Sequence, residues 1–115
     1  MTRHQRFDVR VAPEVVEVLS SRKASASLSQ QFGQAMRRLE QFGTRATGAK
    51  KLAGLNLWEI RAGEYRAYFC PVPGKRVLAV GALVPKKAKR HRSARLSSIE
   101  TRVHRWRRAV QEEHR

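Results

Sequence analysis

Apolar and polar residues alternate in "FDVRV", which puts Phe7, Val9 and Val11 on one face. A period of two predicts a short strand. Pro13 suits the first position of a helix over about 13–22. The apolar face of that helix is thin, with Val15, Val16 and Leu19. A fuller stripe runs through "SLSQQFGQAMRRLEQFG", where Leu28, Phe32, Ala35, Met36 and Leu39 recur at helical spacing. Ser27 with Gln30 has the form of a capping box, and Gly43 is a C-terminal stop. The two segments read as an antiparallel helical pair.

"NLWEIRAGEYRAYFC" reads as a hairpin around the turn signal Ala62–Gly63. In that register 61 pairs with 64, 59 with 66 and 57 with 68. One face then carries Trp58, Ile60, Tyr65, Ala67 and Phe69, and is assigned to the core. The other carries Leu57, Glu59, Arg61, Arg66 and Tyr68. "VPGK" is a turn around Pro73–Gly74, followed by a strand at about 76–84. Gly81 within that strand implies a bulge or the close approach of another backbone.

"SSIETRVHRWRRAVQEE" has Ile99, Val103, Trp106 and Val110 on one stripe and Arg102, Arg105 and Arg108 opposite. Ser97 and Glu100 fit a capping box at its start. The order β-α-α-β-β-β-α predicts an α+β fold in one domain, residues 1–115. It is a small antiparallel sheet packed with two N-terminal helices and a C-terminal helix.

Charge changes the picture. The 115 residues carry a net charge of +16 and a pI near 11.6, which self-repulsion opposes unless a polyanion is the partner. Residues 1–49 hold 8 Lys or Arg against 4 Asp or Glu, whereas residues 50–115 hold 17 against 5. The densest run is "VPKKAKRHRSAR", residues 84–95, with six Lys or Arg, His91 and no acid. The single cysteine, Cys70, allows no internal disulfide and suits a reducing cytoplasm. No apolar run approaches the roughly 20 residues that span a bilayer, and the N-terminus has no signal-peptide core, so no membrane role is expected.

The stretch "KKLAGLNLWEIRAGEYRAYF", residues 50–69, resembles the central hairpin of the RelE/HigB superfamily of bacterial toxins (the RelE/ParE superfamily). The likeness lies in Leu–x–Gly, an apolar–Glu–apolar–Arg strand, and Tyr–Arg opening the next strand. "LVPKK" and "SSIETRVHRW" are similar to the strand end and terminal helix of the phage-derived HigB-like branch. The resemblance implies the toxin of a type II toxin–antitoxin pair, a cytoplasmic endoribonuclease that cuts mRNA, often on the ribosome, and so inhibits translation. It implies an antitoxin partner, of helix-turn-helix type, that masks the basic surface. The implied chemistry uses no metal and no small-molecule cofactor: a ribose 2′-OH attacks its own 3′ phosphate.

That reaction needs a base, an acid and positive charge on the developing oxyanion. Arg66 matches the Arg of Tyr–Arg and takes the role of phosphate clamp, since a guanidinium binds two phosphate oxygens at once. An exposed cross-strand pair with Glu59 explains both residues without any function, and its loss would cost the fold little. Glu59 is also a candidate base. Lys87 is a candidate to stabilise the leaving group, and His91 is a candidate for proton transfer, its ordinary pKa lying near neutrality. Lys50, Lys51, Arg61, Lys86, Lys89, Arg90 and Arg92 are RNA-binding candidates, with solvated loop charge as the bland alternative. Trp58 and Trp106 lie on apolar stripes and are assigned to the core.

No spacing of His4, His91, His104, His114 and Cys70 resembles a metal site, and no Gly-rich phosphate loop occurs. Leu57 and Glu59 stand where some RelE-like enzymes place lysines. Two other functions therefore stay open: a ParE-like gyrase inhibitor acting by protein contact, and a basic RNA-binding module without catalysis.

Overall fold

The computed structural model describes residues 6–21, 24, 26–86 and 92–113, with the backbone alone at 92–94. Strand β1 (Asp8–Val11) leads into helix α1 (Pro13–Leu19) and helix α2 (Ala26–Phe42). A 3-10 turn (Gly43–Arg45) follows, then strands β2 (Lys50–Lys51), β3 (Trp58–Ala62), β4 (Tyr65–Pro71) and β5 (Val77–Pro85), and helix α3 (Arg92–Glu113). The predicted α+β class and element order hold, with the two-residue β2 added. The sheet order is β1-β5-β4-β3-β2. Every pairing is antiparallel except that of β1 with β5, which is parallel, so the sheet is not the wholly antiparallel one expected. Alternation in "FDVRV" identifies a strand but carries nothing about its neighbour.

Helices cover both faces. On one, Val15 of α1 and Leu28, Phe32, Ala35, Met36 and Leu39 of α2 pack on Ile60, Ala67, Phe69, Leu78 and Val80. On the other, Ile99 and Val103 of α3 pack on Leu57, Tyr68, Cys70 and Ala82, and Val110 packs on Val72, Val77 and Ala79. Helix α1 lies on β5 and α2 on β3, and the two share one core cluster with the sheet. Helix α1 ends at Leu19, and Val16, assigned to its apolar face, is half exposed. Strand β5, central and covered on both sides, is buried from Val77 to Leu83, which explains its continuous apolar run.

Gly81 meets both expectations placed on it. Tyr68 pairs with Ala82 and Phe69 with Val80, leaving Gly81 as the extra residue of a bulge. A Cβ there would lie 2.7 Å from the Cα of Val103, so α3 approaches the strand only because this side chain is absent.

The hairpin register differs from the prediction by two residues. Arg61 pairs with Arg66 and Glu59 with Tyr68, and the turn is Gly63–Glu64. Two-residue hairpin loops need a positive φ at their first position. Gly63 supplies it, at +61°, whereas Ala62 would be strained there. A two-residue shift in pairing preserves the faces, so the predicted assignment of side chains to faces stands. What fails is the exposure: the Glu59 face is covered by α3 over most of its length, and Glu59 itself is 4% exposed. Trp58 is half-buried and stacks on Phe69 at 6.3 Å between ring centroids. Trp106 is also half-buried and donates from Nε1 to the carbonyl of Arg10 at 2.9 Å.

Helix α3 begins at Arg92, five residues before the predicted start. Ser97 therefore sits inside the helix and forms no capping box; its carbonyl accepts the Thr101 hydroxyl. Arg, Ala and Leu are good helix formers, and "RSARL" continues the helix despite its charge. Arg102 is not simply solvated either. Its Nε and Nη2 both donate to Glu14 Oε2, at 3.0 and 2.7 Å, tying α3 to α1.

Candidate functional site

Helix α3 lies over β4 and β5 and leaves the β2–β3 end of its face open. There a groove of about 280 Å³ is lined by Gly48, Lys50, Glu59, Arg61 and Arg66. The ladders bring these residues together. Lys50 is paired with Glu59 across β2 and β3, and Arg61 with Arg66 across β3 and β4. Residues opposite one another share a face, and so do residues two apart on one strand.

Glu59 is the centre of the group. Its side chain is 6% exposed, with Lys50 Nζ 3.4 Å from Oε1 and Arg66 Nε 4.0 Å from Oε2. Oε2 has no hydrogen-bond partner among the described residues. A buried carboxylate oxygen without a partner loses its hydration uncompensated, a cost of roughly 1–3 kcal/mol or more. Two arginines directly opposed across a ladder also repel. Each feature offsets part of the other: the anion of Glu59 sits between Lys50 and Arg66, and Arg61 follows two residues on.

The remaining cationic candidates are distributed differently. Lys51 pairs with Trp58 and so projects to the α2 face, away from the groove. Lys86 is exposed beside the hairpin turn, its N–H donating to the Glu64 carbonyl at 2.8 Å. Arg92 opens α3. Lys87, Lys89, Arg90 and His91 lie outside the described residues. Val84 is paired with Arg66, so the basic run 84–95 leaves the sheet next to the groove's arginine.

The groove can bind an anion. With Glu59 ionised, three cations face one carboxylate, leaving a net positive charge; Arg66 is half-buried, and Lys50 and Arg61 are exposed. It also holds the one carboxylate of the group, that of Glu59, beside these cations. Sequence reasoning missed the burial of Glu59, and it missed Gly48, which lines the groove without any distinguishing spacing. Among the described residues no three His, Cys, Asp or Glu side chains are grouped to hold a metal ion. No helix among them is long and apolar enough to cross a membrane.

No protein-family model matches the chain, and no curated protein is similar to it in sequence. Among solved structures, the chain is similar to RelE from the archaeal RelE–RelB complex of Pyrococcus horikoshii OT3. The two share 18% identity at a TM-score of 0.58, over 71% of this chain and 97% of that one. Nearly the whole of that RelE is thus matched, and the fold of this protein is RelE-like.

Proposed function

We propose that this protein is the toxin of a toxin–antitoxin pair, of the HigB-like branch, and that it cuts mRNA in the Glu59 groove. The buried, hydrogen-bond-free Glu59 Oε2, set between Lys50 and Arg66, carries this reading. Burying a carboxylate beside cations costs stability, and a substrate that uses both explains its retention. In the reaction, Glu59 takes the proton of a ribose 2′-OH as the 2′ oxygen attacks the adjacent phosphorus. The P–O5′ bond breaks, leaving a 2′,3′-cyclic phosphate. Arg66, with Arg61, binds the non-bridging oxygens as charge develops. The departing 5′ oxygen needs a proton, for which Lys87 and His91 are the candidates that follow β5.

The partner is an antitoxin protein, of helix-turn-helix type, that covers the basic surface in the cytoplasm. The RelE with the similar fold was itself solved with RelB, and the charge of +16 suits an acidic cover. Outside the complex, the same charge attracts mRNA and the ribosome.

Expression of the free protein is expected to arrest translation with cleaved mRNA. Arg66→Ala should lower cleavage about 10²- to 10³-fold, the usual loss for one fixed oxyanion donor. Because Glu59 is buried, that variant leaves a carboxylate with Lys50 alone and costs the fold more than a surface pair would. Arg66→Lys is therefore the companion: it keeps the charge and loses the planar fork, and should be folded yet defective. A folded Arg66→Lys protein cutting at the wild-type rate would remove the clamp. Growth arrest through DNA damage with intact mRNA would transfer the protein to the gyrase-inhibitor reading. Tight RNA binding with neither effect would leave a basic binding module.

A further inference from the structure

Strand β2 contains two residues, and its ladder to β3 consists of Lys50 opposite Glu59 and Lys51 opposite Trp58. So short a pairing cannot by itself hold Lys50 in place. The intervening loop, residues 52–57, supplies the rest. The Leu52 N–H donates to the Leu57 carbonyl at 2.9 Å and the Leu55 N–H to the Leu52 carbonyl at 3.2 Å. Leu52 and Leu57 are buried in the cluster that contains Ile99 and Val103 of α3.

Asn56, near the end of this loop, has both backbone polar groups taken by α3. Its N–H donates to Glu100 Oε2 at 2.9 Å, and its carbonyl meets His104 Nε2 at 2.8 Å, the ring nitrogen being the donor. Glu100 and His104 are four residues apart and so adjacent on one helix face. They grip the peptides on either side of Asn56, three residues before Glu59. The leucines fix where the loop lies; the two hydrogen bonds fix how its backbone is rotated as it enters β3.

We infer that Glu100 and His104 are positioning residues for the groove, locking the 52–57 loop to α3 so that Lys50 and Glu59 keep their mutual geometry. Neither touches the groove. Both bonds are solvent-exposed, so removing them leaves the apolar anchoring and the fold in place. The activity readout rests on the proposed function; the exchange readout does not.

The full chain is compared with two double variants, Glu100→Ala/His104→Ala and Glu100→Gln/His104→Gln. Glutamine keeps an acceptor at 100 and a donor at 104. Three quantities are measured: RNA cleavage, thermal unfolding, and backbone amide exchange across residues 50–59. The alanine pair should lower kcat roughly tenfold, since small misplacements of reacting groups are costly, with KM within about twofold. Its melting temperature should stay close to wild type. Exchange should quicken across 50–59 but not in α2 or β4, and the glutamine pair should restore both rate and exchange. A wild-type kcat with unchanged exchange in the alanine pair would overturn the inference, as would failure of the glutamine pair to restore either. If the wild-type chain cuts no RNA, the functional reading fails. Exchange then decides: selective quickening across 50–59 that glutamine reverses supports the positioning role, and unchanged exchange overturns it.

Discussion

Cys70 shows what burial between a sheet and a helix does to one ionisable side chain. It lies on β4 beneath α3 with no exposure. Burial pushes its thiol up from 9.0 to about 11, opposed by the charge of Arg107 and reinforced by that of Glu100. The folded state therefore holds the proton more tightly than the unfolded chain does. That contribution is fully present below pH 9 and is lost as pH rises from 9 towards 11. A shift of this size corresponds to roughly 2–3 kcal/mol across that window. Lysines and tyrosines titrate there too, so the check is comparative. Denaturant unfolding at pH 8 and pH 10.5 should show a steeper loss for wild type than for Cys70→Ala. Equal losses would show that the thiol is not desolvated. The folded protein should also react slowly with thiol reagents at neutral pH, because the reactive species is the thiolate.

The contact between β5 and α3 depends on Gly81. A methyl group at this position would meet the backbone of Val103 at 2.7 Å, and a helix backbone cannot yield as a side-chain tip can. Gly81→Ala must displace α3 or the bulge, and overpacking of this kind costs roughly 1–3 kcal/mol. Urea unfolding should show the midpoint falling with little change in slope. The same shift of α3 would disturb the Asn56 contacts, since Glu100 and His104 flank Val103. Cleavage by Gly81→Ala should therefore fall even where the protein is fully folded, as a rate measured well below its unfolding midpoint would show.

For the molecule as a whole, the net charge of +16 dominates encounters with polyanions. The second half carries most of it, and the charged residues of the groove and the start of α3 belong to that half. Association with RNA should be mainly electrostatic. With several phosphates neutralised, affinity should fall about 10³-fold or more between roughly 50 and 200 mM salt. Titration of a short RNA at graded salt checks this, and a flat dependence would contradict it. Replacing Lys86, Lys87, Lys89 and Arg90 together should weaken binding alike for all RNA sequences, because phosphate contacts carry no base information. Arg66→Lys should leave binding nearly intact while lowering cleavage, which separates the attraction of the whole surface from the chemistry proposed for the groove.

Periodicity alone was enough to place β1, α2, β3, β4, β5 and most of α3. It also sorted the hairpin side chains to the correct faces, because helical and strand repeats are properties of the local backbone. Gly81 was legible as an anomaly for the same reason. Residue types drew attention to Arg66, Arg61, Lys50 and Glu59, and the groove does gather those four. Lys51 looked equivalent to Lys50, yet one step along a strand reverses the face. The turn at Gly63–Glu64 was within reach of the sequence, had the φ demand of the first loop position been applied to Ala62. The early start of α3 was also within reach, since its first residues are good helix formers; the parallel pairing of β1 and the burial of Glu59 were not. Both depend on contacts between separate strands: β1 is joined to β5 across most of the molecule, and Glu59 lies between Lys50 of β2 and Arg66 of β4. Whether a carboxylate on a strand is a solvated surface charge or a dry one between cations is decided by what packs over it, and no local pattern records that.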